Sequence, residues 1–277
     1  MIRALASSGS VLFAGGVFTN LGGASVTNVA SWDGTRWNAL GSGISSNVLA
    51  LQWWDGSLYA GGRFDHAGEI EANHVARWTG QEWLPLGSGC NSNVNTLAVW
   101  NDKLAVGGAF TEAGNLPVSS LASWNGAIWM NLGGGVSGLD RPTVTRLATG
   151  ADGLYVAGRF QSAGGFAVTN LARWDGTNWH SVGGGWNGTI SALVVRGREL
   201  FVGGEIQDQF GSTTNGGVFR WNGKRWSSLG KNLSDPRGPN YVLVGAIHPM
   251  GNSLFIGGRF PYAGNKVSAS VARWIPE

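Results

Sequence analysis

One motif recurs six times along the chain, and recurrence at this length limits the fold before any single residue is interpreted. The copies read LFAGGVF (12–18), LYAGGRF (58–64), LAVGGAF (104–110), LYVAGRF (154–160), LFVGGEI (200–206) and LFIGGRF (254–260). Most run on into Ala-Ser-Trp or Ala-Arg-Trp and then a turn dipeptide such as Asp-Gly, and five reach a second tryptophan. With Trp32, Trp78, Trp124, Trp174, Trp221 and Trp274 as register marks, the spacings are 46, 46, 50, 47 and 53 residues. Periods of that length mark stacked arrays, in which each copy is one unit that buries its faces only against its neighbours.

Inside a copy the pattern resolves into four short runs of period-2 character, in the second copy 48–52, 58–64, 75–78 and 82–86. The dipeptides between them, Asp55-Gly56 or Asp33-Gly34 for example, supply the positive φ angles of hairpin turns. No copy carries a helical period, which excludes β/α and helical arrays. Four strands per copy make an antiparallel meander, and radial stacking of such sheets buries both faces while leaving only short edges. The expected fold is therefore all-β, a six-bladed β-propeller of four-stranded antiparallel blades. It is expected to form one domain over 1–277, with blades at 1–43, 44–89, 90–139, 140–186, 187–239 and 240–277. The sixth copy stops at Trp274-Ile275-Pro276-Glu277, before a second tryptophan. Its blade is expected to lack the fourth strand, leaving 271–274 as an outer edge or paired by a strand from another segment or chain. That ending reads as a segment cut from a longer protein. Paired glycines weaken an isolated strand, and the expected compensation is room for the tryptophan rings of strands 3 and 4, glycine pair and indole forming one packing device.

The order of these residues is similar to the kelch repeat, best seen in Leu58-Tyr59-Ala60-Gly61-Gly62 with Trp78-Thr79-Gly80 and Trp83-Leu84-Pro85-Leu86. It departs from that repeat in having Trp where Tyr is usual, a shorter interval between the two tryptophans and an added Phe after the glycines. The variant LYxGGxF…ARWDGxxWxxLG also resembles repeats of bacterial surface propellers and fungal cortical-marker proteins. The resemblance implies a kelch-like propeller and leaves the function open, because such folds host both binding proteins and enzymes.

Glycine (47) and tryptophan (15) far exceed ordinary usage while charged residues make up 13%, and no collagen-like period explains the excess. The formal charge of +3 comes from scattered arginines without a Lys/Arg run, which argues against nucleic acid as a partner. Cys90 stands alone, excluding an internal disulfide. No stretch approaches the roughly 20 apolar residues of a membrane helix, and Met1-Ile2-Arg3 leads into the first repeat without a signal-peptide pattern. The expected setting is extracellular or in the cell envelope, as part of a larger protein and without membrane insertion.

In a meander the 2–3 loops and 4–1 connections emerge on one face of the sheet array and the hairpin turns on the other. The connections after Trp129 and Trp226 are four and seven residues longer than the first two, and insertions on one rim point to a functional face. They carry Asp140 and Arg141 beside Pro142, and Asp235 and Arg237 within 231–240. These pairs are open either to a polar ligand or to capping their own loops. Trp186, in Gly185-Trp186-Asn187-Gly188, is expected on that face outside the repeat pattern, as a ring for a sugar or as a cover over the channel mouth. His66, Glu71 and Glu112, with Glu69 nearby, complete the candidate ligand set. Hydrolysis would need two carboxylates within roughly 5–10 Å, and otherwise these are solvated loop acids. On the opposite face Trp54 and Trp100 form either a platform or a cover for the sheet ends. Arginine alternates, with Arg63 and Arg77, Arg159 and Arg173, Arg259 and Arg273 in copies 2, 4 and 6. This suggests a duplicated two-blade ancestor, the arginines lying over tryptophan faces or forming anion sites.

Enzyme signatures are weaker. The glycine runs at 133–138 and 183–188 match GxGxxG but precede strands, whereas a dinucleotide site needs a helix N-terminus. His66, His74, His180 and His248 lack metal-ligand spacing, and Cys90 and the four tyrosines are too scattered for a copper radical centre. No metal or cofactor is expected. The function read from the sequence is a non-catalytic binding or interaction module presenting loops to a protein or glycan. The alternatives are a carbohydrate-active hydrolase or lyase at the channel mouth and a purely structural assembly unit.

Overall fold

A computed structural model describes residues 1–138, 140–207, 217–229, 233–238, 241–264 and 266–276. In the second copy Asn47–Trp54, Ser57–Arg63, Val75–Trp78 and Trp83–Pro85 form a four-stranded antiparallel sheet in chain order. Trp54 pairs with Ser57 across a two-residue turn in which Asp55 and Gly56 have φ of 47° and 70°, a type I′ geometry that follows the strand twist. The second hairpin is wider, Trp78 pairing with Trp83. At its equivalents Asp33, Asn125, Asp175 and Asn222 accept the backbone N–H groups two and three residues on. Five copies build such sheets, numbered here 1 to 5 in chain order, and sheet 6 has only Leu243–Met250, Ser253–Arg259 and Val271–Trp274. The missing fourth strand follows from the missing second tryptophan. Among the described residues the regular elements of any length are all strands.

The 2–3 loops contain short ladders that the sequence pattern does not announce. His66–Ala67 pairs with Ile70–Glu71, and Glu112–Ala113 with Leu116–Pro117. Each receives the preceding 4–1 connection: Ile44 bridges to Ala67, Cys90 to Ala113, and Leu233–Ser234 pairs with Tyr262–Ala263. The long loops and the 4–1 connections therefore lie together, on the side expected to carry function.

The chain divides into two compact units, residues 1–136 with 141–144 and residues 137–140 with 145–277. Sheets 1 to 3 belong to the first, sheets 5 and 6 and nearly all of sheet 4 to the second. Inside each unit the seam between consecutive sheets has one construction. A Cβ added to Gly15, Gly61 or Gly107 would lie 2.5, 2.4 or 2.5 Å from Cγ1 of Val48, Val94 or Val144, and one on Gly203 would lie 2.5 Å from Cγ1 of Val244. The second glycine of the pair faces its own sheet. A Cβ on Gly16, Gly62, Gly108, Gly204 or Gly258 would stand 2.0–2.1 Å from the carbonyl oxygen of Met1, Asn47, Asn93, Thr189 or Leu243, beside a bulge in strand 1. The glycine pairs therefore admit a neighbouring valine and a bulged carbonyl, which corrects the expectation that they make room for indole rings.

The indoles use other glycines. A Cβ on the loop residue Gly22 or Gly68 would lie 2.6 or 3.3 Å from Cδ1 of Trp37 or Trp83, and one on Gly183 2.4 Å from Trp221. Strand-3 and strand-4 tryptophans pair within each of the five complete sheets, with centroids 5.3–5.5 Å apart. Trp83, Trp129 and Trp226 donate their indole N–H to the carbonyls of Leu40, Leu86 and Val182 at 2.9, 2.7 and 2.8 Å, tying each sheet to the end of the one before. These rings join Val94, Leu97 and Phe110, or Val48, Leu58 and Phe64, or Ile190, Val202 and Phe219, in the buried layers between sheets.

Trp83→Phe keeps an aromatic ring but removes the indole bond to the Leu40 carbonyl, which still accepts the Gly43 N–H at 3.1 Å, an expected cost of about 0.5–1.5 kcal/mol. Trp37→Phe, whose indole N–H makes no bond among the described residues, should cost less. Guanidinium unfolding of both variants checks this, and equal losses would contradict the tether.

Candidate functional site

Asp235 and Arg237 close on each other. Arg237 donates from Nε to Oδ1 of Asp235 at 2.9 Å, from Nη2 to Oδ2 at 2.6 Å and from its backbone N–H to Oδ1 at 2.9 Å, and its guanidinium lies 4.6 Å over the Tyr241 ring. The Asp235 side chain is 2% exposed, and the hydrogen-bonded guanidinium holds its carboxyl down to about 2. Of the two readings open for this pair, the local cap is the geometry formed, while most of the Arg237 side chain remains in solvent. Residues 231–232 and 239–240 of that insertion lie outside the described residues, as does Leu139 of the first; Asp140 and Arg141 are exposed.

His66 and Glu71 face each other across the short ladder of the second copy, both exposed. His66 Nδ1 is 3.1 Å from Asp65 Oδ1, and Glu71 accepts a 3.4 Å bond from Asn73. Glu112 holds the place equivalent to His66 in the next loop and is also exposed. Glu69 accepts a hydrogen bond from the Ser42 hydroxyl at 2.7 Å.

Of the two readings open for Trp186, the ring exposed for a sugar is not the one formed. Trp186 is 1% exposed, packed edge-on to Trp226 at 4.8 Å and against Phe219 at 5.2 Å. Its backbone N–H reaches the Thr169 carbonyl at 3.3 Å, as that of Ile44 reaches Thr27 and that of Cys90 reaches Asn73. Trp186 thus fills a buried repeat position with a larger ring, and its indole N–H has no hydrogen-bond partner. On the opposite side Trp53 stacks on Phe13 at 5.5 Å and Trp54 packs on Tyr59 at 5.3 Å, so these rings cover the sheet ends.

A cavity of about 410 Å³ lies in the second unit, at the loop end of the seam between sheets 4 and 5. Thr145 comes from strand 1 of sheet 4 (Thr143–Gly150), Arg159 and Gln161 from the end of strand 2 (Gly153–Arg159) and just beyond, Thr169 and Asn170 from the 2–3 loop, and Thr189 from Asn187–Arg196. At this seam Ala157 stands where other copies have glycine. Ala157 and the facing Ile190 are both buried. Asn170 is committed to the scaffold, accepting from Phe160 N–H at 3.1 Å and donating to the Trp186 carbonyl at 2.8 Å, and Thr145 lies 3.3 Å from the carbonyls of Ala157 and Ile190. The side chains of Arg159, Gln161, Thr169 and Thr189 have no partner among the described residues, and no carboxylate lines the cavity.

Beside Thr145, the largely buried Arg146 donates from Nε to the Ser191 carbonyl and from Nη1 to the Thr145 carbonyl, each at 2.6 Å, and desolvation draws its pKa down. Its repeat position holds Ala4, Ala50, Thr96, Ala192 and Ala246 elsewhere, so an arginine there is the signal that sequence reading passed over. The strand-3 arginines act differently. Arg173 binds the carbonyl and carboxylate of Asp152, Arg220 bonds Glu199 at 2.6 Å, and Arg273 donates to Ser253 at 3.0 Å. Arg259 bonds the Tyr241 carbonyl at 3.0 Å. Among the described residues Arg159 is thus an exposed guanidinium without a partner, set among hydroxyl and amide donors, a setting suited to an anionic, acceptor-rich group. Among the described residues no three metal-ligating side chains cluster.

No family model matches the chain, and no curated protein matches it. Solved structures do. The WD40 β-propeller domain of Doa1 aligns with a TM-score of 0.59 at 14% identity, over 98% of this chain and 77% of that one. The computationally designed protein Ika8 aligns at 0.53 and 18% identity, over 93% and 68%. The extracellular domain of BT4673 from B. thetaiotaomicron aligns at 0.51 and 12% identity over 99% of this chain, which spans 38% of that one. At these identities the likeness establishes the fold alone, and that fold is the β-propeller. No helix of the described residues is long and apolar enough to cross a membrane.

Trp186→Ala should destabilise the protein by about 3–5 kcal/mol, whereas Trp186→Phe, which removes an unpaired buried donor, should cost clearly less in thermal or denaturant unfolding. The Asp235–Arg237 clasp should persist above the ordinary carboxylate range and open as pH falls from about 4 toward 2, since the depressed folded pKa stabilises the ionised form. A carboxyl-carbon NMR titration of Asp235 with a midpoint near the ordinary aspartate value would contradict it.

Proposed function

We propose that the chain is a non-catalytic binding module of the kelch-like propeller type that holds an anionic, acceptor-rich group of a protein or glycan partner at the cavity between sheets 4 and 5. The observation that carries this reading is the Arg159 guanidinium, which lines a roughly 410 Å³ cleft with Gln161, Thr169 and Thr189 and, among the described residues, has no partner and no carboxylate beside it. A concave, largely pre-formed site with a few convergent donors is the usual form of a recognition pocket. In this reading the exposed side chains of Asp140, Arg141, Arg237, His66, Glu71 and Glu112 belong to the loops that contact the body of the partner. Asp235 supports Arg237, and Trp186 supports the cavity wall from behind through the Asn170 bond. Among the described residues no carboxylate lines the cleft, whereas hydrolysis requires a paired general acid and base. A single binding domain over 1–277, placed outside the cell or in its envelope within a larger protein, is the setting proposed for it.

Screening on a glycan array that includes uronate and sialyl termini, together with an array of acidic peptides, identifies the partner class. Arg159→Ala should weaken the resulting complex roughly tenfold or more by calorimetry, Arg159→Lys should restore part of that, and Arg63→Ala should leave it unchanged. An Arg159→Ala protein that binds as the parent does overturns the assignment. Glu71→Gln and Glu112→Gln address the alternative chemistry: loss of turnover on a polysaccharide panel in either variant would establish a hydrolase or lyase instead.

A further inference from the structure

We propose that the anionic group held at the cavity between sheets 4 and 5 is the carboxylate of a sugar acid, and that Thr145 selects it by accepting a hydrogen bond from a ligand hydroxyl. The inference deepens the reading of the cavity as an anion-recognition site and rests on it.

Among the described residues Arg159 is the one charged side chain that lines the cavity. A single planar guanidinium matches the charge and the two oxygens of a carboxylate, whereas a phosphate monoester carries nearly two charges at neutral pH. The rest of the lining decides what must accompany that carboxylate. The Thr145 hydroxyl oxygen lies 3.3 Å from the carbonyls of both Ala157 and Ile190, and its single hydrogen is given to them. The bond to Ile190 belongs to the repeat: one copy earlier Asn95 donates in the same way to the carbonyl of Val144, the counterpart of Ile190, at 3.1 Å. Thr145 therefore has only lone pairs to offer, and a ligand that meets it must bring a donor. The acidic side chain of a peptide brings acceptors alone. A sugar acid brings hydroxyls, which both donate and accept, as do the side chains of Gln161, Thr169 and Thr189 around it.

The combination belongs to one copy. Arginine also occupies the Arg159 position in copies 2 and 6, as Arg63 and Arg259. Where copy 4 has Thr145 and Gln161, however, copy 2 has Leu49 and Asp65, and copy 6 has Gly245 and Pro261. Gln161 is moreover released from a task that its counterparts perform. Asp65 and Thr111 are bonded to Ser45 and Asn91 of the preceding connection, each at 2.9 Å, while Ser137 at the same place bonds Ser162 instead, at 2.7 Å. Gln161 thus lines the cavity with both ends of its amide uncommitted among the described residues. A volume of about 410 Å³ falls in the range of small-ligand sites.

The test titrates the full chain with sodium glucuronate and sodium N-acetylneuraminate, followed by two-dimensional amide NMR. Acetate, glucose, N-acetyl-aspartyl amide and glucose 6-sulfate serve as comparison probes. At least one of the two sugar acids should bind roughly tenfold more tightly than acetate, which lacks the hydroxyls, and than glucose, which lacks the charge. Arg159→Ala should weaken the sugar acid and acetate alike. Thr145→Val should bring the sugar acid to within about twofold of acetate while leaving acetate unchanged, and Thr145→Ser, which keeps the hydroxyl, should retain the preference. The ranking of probes on the parent protein decides the question even where Thr145→Val fails to fold. Sugar acids that bind no better than acetate or glucose, or as well to Thr145→Val as to the parent, overturn the proposal. Tighter binding of the aspartyl amide or of glucose 6-sulfate, lost in Arg159→Ala, also overturns it but leaves anion recognition at the cavity standing. If Arg159→Ala changes the binding of no probe, the reading of the cavity falls and this proposal with it.

Discussion

The structure depends on a valine methyl of one sheet lying where the second strand of the preceding sheet has no Cβ. At 2.4–2.5 Å from the position such an atom would take, Val48, Val94, Val144 and Val244 must shift to admit any residue but glycine. Apolar burial alone is non-directional and would tolerate many sheet-on-sheet arrangements. A contact this close fixes the register of strand 1 against strand 2 of its neighbour. The bulged carbonyl over the second glycine fixes strand 1 against strand 2 of its own sheet. Two adjacent glycines thus set two registers, and the entropic cost of glycine in a strand, roughly 0.5–1 kcal/mol each, is offset by the packing it permits.

The tryptophans act one layer outward. Each strand-4 indole packs on its strand-3 partner, and those of Trp83, Trp129 and Trp226 donate across the seam to the end of the preceding sheet, so a bulky apolar ring also meets its one hydrogen-bonding requirement. Where the pattern is altered, something else follows. Ala157 in place of glycine coincides with the seam that opens into the cavity, and beside the three-stranded sheet 6 both Gly257 and Val271 are uncovered.

Much of this was legible in the chain. Repeat number, strand count, hairpin positions and the three-stranded last sheet follow from periodic residues whose roles are local. The partners of Gly61 and Gly62 were not legible, because Val94 lies far along the sequence and the Asn47 carbonyl approaches only through a bulge. Trp186 was misplaced because its flanking glycines resemble a free loop, although its register with Ile44, Cys90 and Val136 was available. For Asp235 and Arg237 the sequence left two outcomes open, and short-range geometry chose the clasp. Arg159 was visible as one of an alternating set, but its lack of a partner depends on residues that differ from those around Arg173 and Arg259. The loop residues His66, Glu71 and Glu112 sit where the meander places them, on exposed ladders whose short pairing has no composition signal.

The most direct test of the seam is a double-mutant cycle on Gly61→Ala and Val94→Ala, read by equilibrium unfolding. The account predicts that Gly61→Ala alone costs about 1–3 kcal/mol through overpacking and that most of this cost disappears in the Val94→Ala background, a coupling of about 1 kcal/mol or more. Costs that simply add, within about 0.3–0.5 kcal/mol, would contradict it.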